Sequence, residues 1–333
     1  MQTTEPDRIL HVVAGVIVED RHVFLTQRPP GSHLAGKWEF PGGKVTQGES
    51  PYAALVRELD EEIGIVVHEA APFMALRHRY PDKVILLDVW QVKRFSGSPH
   101  GREGQQASWQ QITALRPSVL PAADRLVLRR LQLPRLYAIS AISRYGAASW
   151  LRRLDQALAA GLSMLQLREP GMAHPEFSEI AETVIARCHA QGAMVLVNGT
   201  TELAIALGAD GVHLSSARLL DAQIRPLPED FLVGASCHNA AELFQAAAID
   251  SDFVVLGPVE ATASHPNATP LGWADFSTLC RLTPIPVYAL GGMRPHQLSR
   301  AQRAGSHGLA MIRGFWEAND FTEVVAAFEN GAT

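Results

Sequence analysis

Residues 43–65 read G-K-V-T-Q-G-E-S-P-Y-A-A-L-V-R-E-L-D-E-E-I-G-I. This stretch fits the pattern G-x5-E-x7-R-E-U-x-E-E-x-G-U at every defined position, where U is a bulky aliphatic residue. Ser50-Pro51 predicts the start of a helix, because proline is tolerated in the first turn. Gly64 predicts its end, as a C-terminal glycine.

The helix has an apolar stripe that we expect to be buried. Its members are Tyr52, Val56, Leu59 and Ile63. Glu58, Glu61 and Glu62 lie on a neighbouring face, since residues three and four apart are surface neighbours. Crowded carboxylates raise one another's pKa values, and a hard cation bound by oxygen ligands, Mg²⁺ or alternatively Mn²⁺, removes that penalty. A solvated acidic face is the alternative, but Arg57 within the cluster and the loop at 40–44 favour a metal site.

The predicted ligands indicate the chemistry. A divalent cation that holds carboxylate and phosphate oxygens together neutralises developing charge and lowers the pKa of a bound water. That water can attack phosphorus in line, and the leaving group is a phosphate or a nucleotide. No side-chain nucleophile is required, and none stands out near the motif. We therefore predict metal-assisted hydrolysis of a phosphoric anhydride.

Residues from about 9 to 133 resemble the MutT branch of the Nudix family, the 8-oxo-dGTP diphosphatases. The matching runs are V-V-A-G-V-I-V-E-D at 12–20, L-A-G-K-W-E-F-P-G-G-K at 34–44, Y-P-D at 80–82 and G-R-E-G-Q at 101–105. The resemblance implies an α/β/α sandwich and Mg²⁺-dependent conversion of 8-oxo-dGTP to 8-oxo-dGMP and pyrophosphate, which sanitises the nucleotide pool and avoids mutation. The alternative is another nucleotide, or a thiamine-related diphosphate, as substrate.

The resemblance also implies site residues, position by position. The metal ligands would be the Gly42 carbonyl, Glu58, Glu61, Glu62 and Glu103. Glu49 and Arg57 would organise the motif and complete the catalytic set. The substrate would contact Arg28, Phe40, Lys44, Asp82 and Asp124. Two of these have alternatives, because Phe40 suits a hydrophobic core and Arg28 suits a solvated strand end.

One position departs from the family pattern. The family reads the oxidised guanine with an asparagine in a Pro-Pro-Ala-Asn-like turn, and here the turn is Leu120-Pro121-Ala122-Ala123-Asp124. Asparagine offers a donor and an acceptor, whereas an ionised carboxylate only accepts. We therefore expect Asp124 to weaken discrimination for 8-oxo-dGTP.

The length of 333 residues predicts two domains, and Leu133-Pro134-Arg135 is the natural seam between 1–133 and 134–333. After the seam, eight apolar runs alternate with helical stretches. They are Leu136–Ser140, Met164–Arg168, Met194–Asn198, Val212–Ser215, Leu232–Ser236, Phe253–Gly257, Val287–Leu290 and Leu309–Ile312. Strands buried on both faces lose alternation, so this pattern predicts a parallel (β/α)₈ TIM barrel.

Residues 135–320 resemble thiamine phosphate synthase and its thiazole tautomerase relatives. The matching runs include Q-L-R-E at 166–169, A-D-G-V-H at 209–213, G-A-S-C-H at 234–238 and L-G-G at 290–292. The resemblance implies a ligand or phosphate site built from Arg168, Asn198, Ser236, His238, Gly291, Gly292 and Arg313. His238 matches the tautomerase histidine, although a structural role is the alternative.

Several of the synthase's working residues are changed. Pro170 and His265 replace lysines that bind diphosphate, and Gly199 and Arg218 replace aspartates that hold the metal. Without that acidic pair, a Mg²⁺-diphosphate has few oxygen ligands. We therefore expect a degenerate barrel that binds a thiamine-related phosphate, as a sensing or interaction module, rather than an active synthase. The alternatives are a bifunctional chain and a phosphate-binding barrel that regulates the Nudix half.

Composition narrows the cellular setting. Three cysteines without C-x-x-C spacing suit a reducing cytoplasm. The polar start at 1–8 shows no signal segment, and no apolar run reaches the length of a membrane span. A net charge of −5 argues against duplex nucleic acid as a partner, while a nucleoside triphosphate held through a metal is compatible with it.

Overall fold

The structure is a computed structural model that describes residues 9–262 and 269–329. The chain divides into two compact units, with the boundary between Gln132 and Leu133. None of the helices in the described ranges combines the length and apolar character that crossing a bilayer requires.

The first unit contains one mixed sheet of seven strands. Its order is β3-β2-β1-β6-β5, with β4 added to β1 and β7 added to β2. β1 and β6 run parallel, and the remaining pairs are antiparallel. The strands are β1 (Ile9–Glu19), β2 (His22–Gln27), β3 (Trp38–Glu39), β4 (Gly42–Lys44), β5 (Val66–Arg79), β6 (Val84–Ser96) and β7 (Ala107–Gln111). The helices are α1 (Pro51–Ile63) and α2 (Ala122–Gln132), with 3₁₀ turns at Ile112–Ala114 and Pro117–Val119.

The sheet has a hydrophobic core on each face because side chains alternate along β1. Val13 and Ile17 belong to the core that contains the buried residues of α1. Ala14 and Val16 belong to the core that contains those of α2. One helix therefore covers each side of the sheet, and the expected α/β/α sandwich is confirmed.

Helix α1 begins and ends where the sequence predicts. The Ser50 hydroxyl accepts a hydrogen bond from the Ala53 amide at 3.2 Å, and Gly64 ends the helix with a φ of 74°. The buried face is rotated from the predicted stripe, however. It consists of Ala54, Leu55, Leu59 and Ile63, while Tyr52 is 37% exposed. The difference has a physical reason: the row Leu55–Leu59–Ile63 at spacing four fits the sheet, and Tyr52 packs edge-on against Trp90 at its margin.

The second unit is a closed barrel of eight parallel strands, as predicted. The strands are β8 (Leu136–Ile139), β9 (Met164–Leu167), β10 (Met194–Val197), β11 (Gly211–Leu214), β12 (Leu232–Cys237), β13 (Phe253–Leu256), β14 (Val287–Ala289) and β15 (Gly308–Met311). Inside the barrel lie Tyr137, Phe253 and Tyr288, whose rings contact one another edge-on or tilted. A larger apolar core separates the strands from the surrounding helices.

Helices follow the strands around this barrel. They are α3 (Ile142–Tyr145), α4 (Ala147–Ala159), α5 (His174–Ala190), α6 (Thr201–Ala206), α7 (Ser216–Asp221), α8 (Ala240–Ala248), α9 (Gly272–Cys280), α10 (Leu298–Arg303), α11 (Arg313–Trp316) and α12 (Phe321–Glu329), with a 3₁₀ turn at Pro295–Gln297. The carboxyl ends of the strands therefore share one mouth, the end of such barrels that carries ligands.

Candidate active site

Two glycines bring strand β4 directly against its neighbours. A Cβ added to Gly42 would lie 2.1 Å from the Val13 carbonyl oxygen, and one added to Gly43 would lie 2.2 Å from the Glu58 carboxylate. Both distances are far below van der Waals contact, so a side chain at Gly42 would clash with the backbone of β1 and one at Gly43 would displace the Glu58 carboxylate. The Glu58 carboxylate consequently rests on the backbone of β4.

Arg57 links the loop after β4 to helix α1. Its Nε and Nη2 donate to the Glu49 carboxylate at 3.0 and 2.8 Å. Nη1 donates to Glu58 at 2.8 Å and to Glu61 at 3.0 Å, and Nη2 also donates to the Lys44 carbonyl at 3.1 Å. The hydrogen bonds from Arg57 lower the pKa of Glu49 to about 2. One guanidinium thus fixes three carboxylates and a main-chain carbonyl.

Glu62 is held by two donors from the sheet. Its Oε1 accepts from the Thr26 hydroxyl at 2.8 Å and its Oε2 accepts from the Gly42 amide at 2.7 Å. Burial raises its pKa to about 7, although both hydrogen bonds act in the opposite direction. Sequence reasoning missed Thr26, and its only signal is a polar residue among the buried positions of β2.

The predicted carboxylate cluster is therefore divided between different partners. Arg57 holds Glu58 and Glu61, whereas Glu62 faces β2 and β4. Within residues 9–262 and 269–329, no three acidic, histidine or cysteine side chains already form a group that could hold a metal ion. Glu61 differs further from the other two, because its side chain is 57% exposed.

The loop that carries Glu103 is tied to the end of α1. The amides of His100 and Arg102 donate to the carbonyls of Ile63 and Glu62 at 3.0 and 2.9 Å, and the Gln105 side chain donates to the Glu62 carbonyl at 3.2 Å. The amide of Glu103 itself donates to the Gln105 side chain, and its carboxylate is exposed. The fold thus brings this distant loop to the carboxyl end of α1.

The donor set suits a hard divalent cation. The Glu58 carboxylate lies against Gly43, and the Glu62 carboxylate accepts a hydrogen bond from the Gly42 amide, so both lie at β4. Every candidate ligand atom is oxygen. Hard cations such as Mg²⁺ prefer oxygen ligands. The buried Glu62 carboxylate is also the group whose negative charge a cation would stabilise most.

Three of the predicted substrate residues meet between β3 and the start of α2. Arg28 forms an ion pair with Glu39 and donates through Nε to the His33 carbonyl at 2.6 Å. Phe40 is 4% exposed and belongs to the core beneath α2. The Phe40 amide hydrogen-bonds to the Asp124 carboxylate, which is itself 8% exposed.

Two further predicted substrate residues lie on the surface. Lys44 is an exposed residue at the end of β4. Asp82 is exposed in the turn after β5, and its carboxylate lies 3.7 Å from the Lys83 ammonium nitrogen. The same turn carries Tyr80, whose hydroxyl accepts a hydrogen bond from the Ala123 amide at 3.4 Å. Tyr80, rather than the exposed Asp82, therefore connects this turn to the first turn of α2.

The barrel mouth contains a cavity of about 320 Å³ at the ends of β13, β14 and β15. Gly291, Gly292 and Arg313 line it, together with Glu260 and Arg294. Gly291 and Gly292 adopt φ values of 99° and 71°, which glycine accommodates without strain. The lining thus combines glycine backbone with two guanidinium groups, which suits a phosphate, and with the carboxylates of Glu260 and Glu317.

Elsewhere at the mouth, two residues are held by neighbours on other elements. His238 donates its amide to the Glu242 carboxylate at 2.6 Å, and its Nδ1 lies 2.9 Å from the same carboxylate. Ser236 lies 3.0 Å from Nε2 of His213. Burial lowers the pKa of His213 to about 3, so this histidine is neutral at physiological pH.

The ends of β9 and β10 place Arg168 and Asn198 on adjacent strands. The acid beside Arg168, Glu169, is 8% exposed and accepts hydrogen bonds from Ser140 and from the first turn of α3 at 2.7–3.0 Å. These hydrogen bonds give Glu169 a structural role at the start of α3. Arg218 is exposed, and His265 lies outside the described residues.

Comparisons with known proteins identify relatives for each half of the chain. A family model described as NUDIX domain matches residues 12–130, and one described as thiamine monophosphate synthase matches residues 136–315. The 8-oxo-dGTP diphosphatase of Escherichia coli (strain K12) is 40% identical over 124 residues, which are 37% of this chain and 96% of that protein. The corresponding protein of Haemophilus influenzae (strain ATCC 51907 / DSM 11121 / KW20 / Rd) is 42% identical over 125 residues, covering 37% and 92%.

The second half has its own relatives. The putative thiamine-phosphate synthase 2 of Aquifex aeolicus (strain VF5) is 34% identical over 187 residues, which are 56% of this chain and 100% of that protein. Nudix hydrolases generally need a divalent metal, in agreement with the oxygen donors around α1. The chain therefore belongs to the Nudix hydrolases through its first unit and to the thiamine monophosphate synthase family through its second.

Proposed function

We propose that the first unit is a Mg²⁺-dependent pyrophosphohydrolase that converts 8-oxo-dGTP to 8-oxo-dGMP and pyrophosphate and so sanitises the nucleotide pool. One observation carries the proposal: the complete motif lies in the structural context that its chemistry requires, with Glu58 and Glu62 against the backbone of β4. The 40% identity to an 8-oxo-dGTP diphosphatase supports the substrate.

The proposed mechanism assigns separate tasks to the side chains. Glu58, Glu62 and the Gly42 carbonyl would hold the cation, with Glu61 and Glu103 as further oxygen donors. When bound, Mg²⁺ would neutralise phosphate charge and activate a water for attack at phosphorus. Arg57 keeps the loop at 44–49 in place through Glu49, and the exposed ammonium group of Lys44 would attract the phosphates.

The test is removal of one charge at a time. We expect Glu58→Gln or Glu62→Gln to reduce pyrophosphate release from 8-oxo-dGTP by at least about a hundredfold, since each loses a charged oxygen ligand. Glu69→Gln is the matched control, because Glu69 is an exposed glutamate on β5 that lies 4.0 Å from Arg94. Full activity in either Glu58→Gln or Glu62→Gln would contradict the ligand assignment.

Another nucleotide, or a thiamine-related diphosphate, is the second candidate substrate. Asp124 in place of asparagine favours it, and so does the thiamine-family barrel in the same chain. We would compare kcat/KM for 8-oxo-dGTP, dGTP and thiamine diphosphate on the full chain with Mg²⁺. Equal values for the first two would end the assignment to damaged guanine, and a larger value for the third would identify the alternative.

For the barrel we propose binding of a phosphorylated ligand of the thiamine type without synthase chemistry. The glycine-lined cavity supports binding, and the replacement of synthase residues at Pro170, Gly199 and Arg218 supports the loss of synthase function. Calorimetric titration of the full chain with thiamine phosphate should show binding that Arg313→Ala weakens and that Arg281→Ala, at an exposed residue directly after α9, leaves unchanged. Absence of binding at millimolar ligand would contradict the proposal.

A further inference from the structure

Asp124 lies in an unusual setting for an acid. It is in the first turn of α2, it is 8% exposed, and its carboxylate accepts a hydrogen bond from the Phe40 amide. The charged and titratable groups that act on it are Arg28 after β2, Glu39 in β3 and Tyr80 after β5. Tyr80 is in turn surrounded by His78, Lys83 and Arg125. The residue is thus enclosed by the elements predicted to hold the base.

Taken together, these charges do not favour the ionised form of the Asp124 carboxyl group. Arg28, the cation whose charge acts on Asp124, forms its ion pair with Glu39, and Glu39 repels a negative charge on Asp124. Arg28 and the Phe40 amide stabilise the anion in part, as does the start of a helix. Burial outweighs them and raises the pKa of Asp124 to about 8.

We propose that Asp124 reads the nucleobase as a neutral carboxyl group, presenting an O–H donor and a C=O acceptor side by side, as an asparagine amide presents its own pair. This inference rests on the proposed function, because it names the group that selects the oxidised purine. It also revises the expectation from sequence that Asp124 can only accept hydrogen bonds.

The chemistry of the base supports this pairing. Guanine presents two acceptors, O6 and N7, on one edge. Oxidation at C8 places a proton on N7, so the same edge of 8-oxoguanine carries an acceptor next to a donor. A neutral carboxyl group matches that edge with two hydrogen bonds, whereas an ionised one leaves O6 facing a negative oxygen. A substrate that leaves a buried polar group of the site unpaired or repelled is strongly disfavoured relative to one that pairs with it.

The test compares the wild-type chain with Asp124→Asn across pH. The quantity to follow is kcat/KM for 8-oxo-dGTP of the wild type divided by that of the variant, from pH 6.5 to 9. Effects of pH on the metal-activated water and on ionisation of the base occur in both proteins and cancel in this ratio. We expect a ratio within about threefold of one at pH 7 and a fall of about tenfold by pH 9, the loss of the neutral form above its pKa. A ratio that does not change with pH, or a variant more than about a hundredfold less active at pH 7, would overturn the proposal.

A second measurement does not depend on turnover. Infrared difference spectra of the full chain, wild type minus Asp124→Asn, report whether the Asp124 carboxyl is protonated at pH 7. The C=O band of a protonated acid is expected, and a carboxylate band would overturn the inference. If the chain hydrolyses no nucleotide, the proposed function fails, and the spectra still decide the protonation state of Asp124.

Discussion

Gly43→Ala tests the contact between β4 and Glu58. The added Cβ would lie 2.2 Å from the Glu58 carboxylate. That distance is 1.2 Å less than the 3.4 Å at which ordinary contacts begin, so the carboxylate must move by at least that amount. A displacement of about 1 Å at a catalytic group can reduce the rate by roughly a hundredfold. We therefore expect kcat/KM for 8-oxo-dGTP to fall about a hundredfold, with a small change in stability because a side chain can move aside.

The assay is pyrophosphate release at several Mg²⁺ concentrations, with thermal unfolding measured in parallel. Glu58→Asp, which shortens the side chain, should restore part of the activity when combined with Gly43→Ala, because it makes room for the new methyl group. Gly171→Ala is the control for an added methyl, since a Cβ there meets nothing within 4 Å. Activity within threefold of the wild type in Gly43→Ala would refute the reasoning that the position of Glu58 on β4 controls catalysis.

Two predictions concern stability. Ser50→Ala removes the side-chain cap of α1 and should lower the free energy of unfolding by about 1 kcal/mol, measured with urea, while Ser50→Asp should retain the cap; equal losses in both variants would contradict the capping role. His213 is neutral in the fold, with its pKa lowered to about 3 by burial, so the unfolded chain binds more protons between that value and about pH 6.5. Its share of stability is therefore complete above about pH 6.5 and is lost as pH falls, by at most about 1.4 kcal/mol per pH unit. His213→Asn should show a shallower dependence of unfolding free energy on pH in this range, and an unchanged slope would show that another group is responsible.

The sequence predicts the elements of this protein well wherever a local signal exists. Ser50-Pro51 and Gly64 mark both ends of α1, and eight apolar runs mark the eight barrel strands. Predictions were less accurate where packing decides. The buried face of α1 includes Leu55 rather than Tyr52, because the fit between the helix and the sheet selects the row of residues that is covered.

In the candidate site, too, local sequence signals predict some features, and other features depend on the folded chain. Spacing along α1 identifies Glu58 and Glu62, but it does not reveal that they have different partners, since Thr26 and Gly42 come from distant strands. Likewise, the sequence presents Asp124 as an ordinary acid. Its state depends on burial and on Glu39, which only the folded chain brings near it.

The most direct test of the central claim is a crystal of the full chain soaked with Mn²⁺ and a non-hydrolysable analogue of 8-oxo-dGTP. We expect an anomalous peak within coordination distance of the Glu58 and Glu62 carboxylates and the Gly42 carbonyl, next to the triphosphate. A well-ordered nucleotide bound elsewhere, with no manganese at these oxygens, would contradict the central claim.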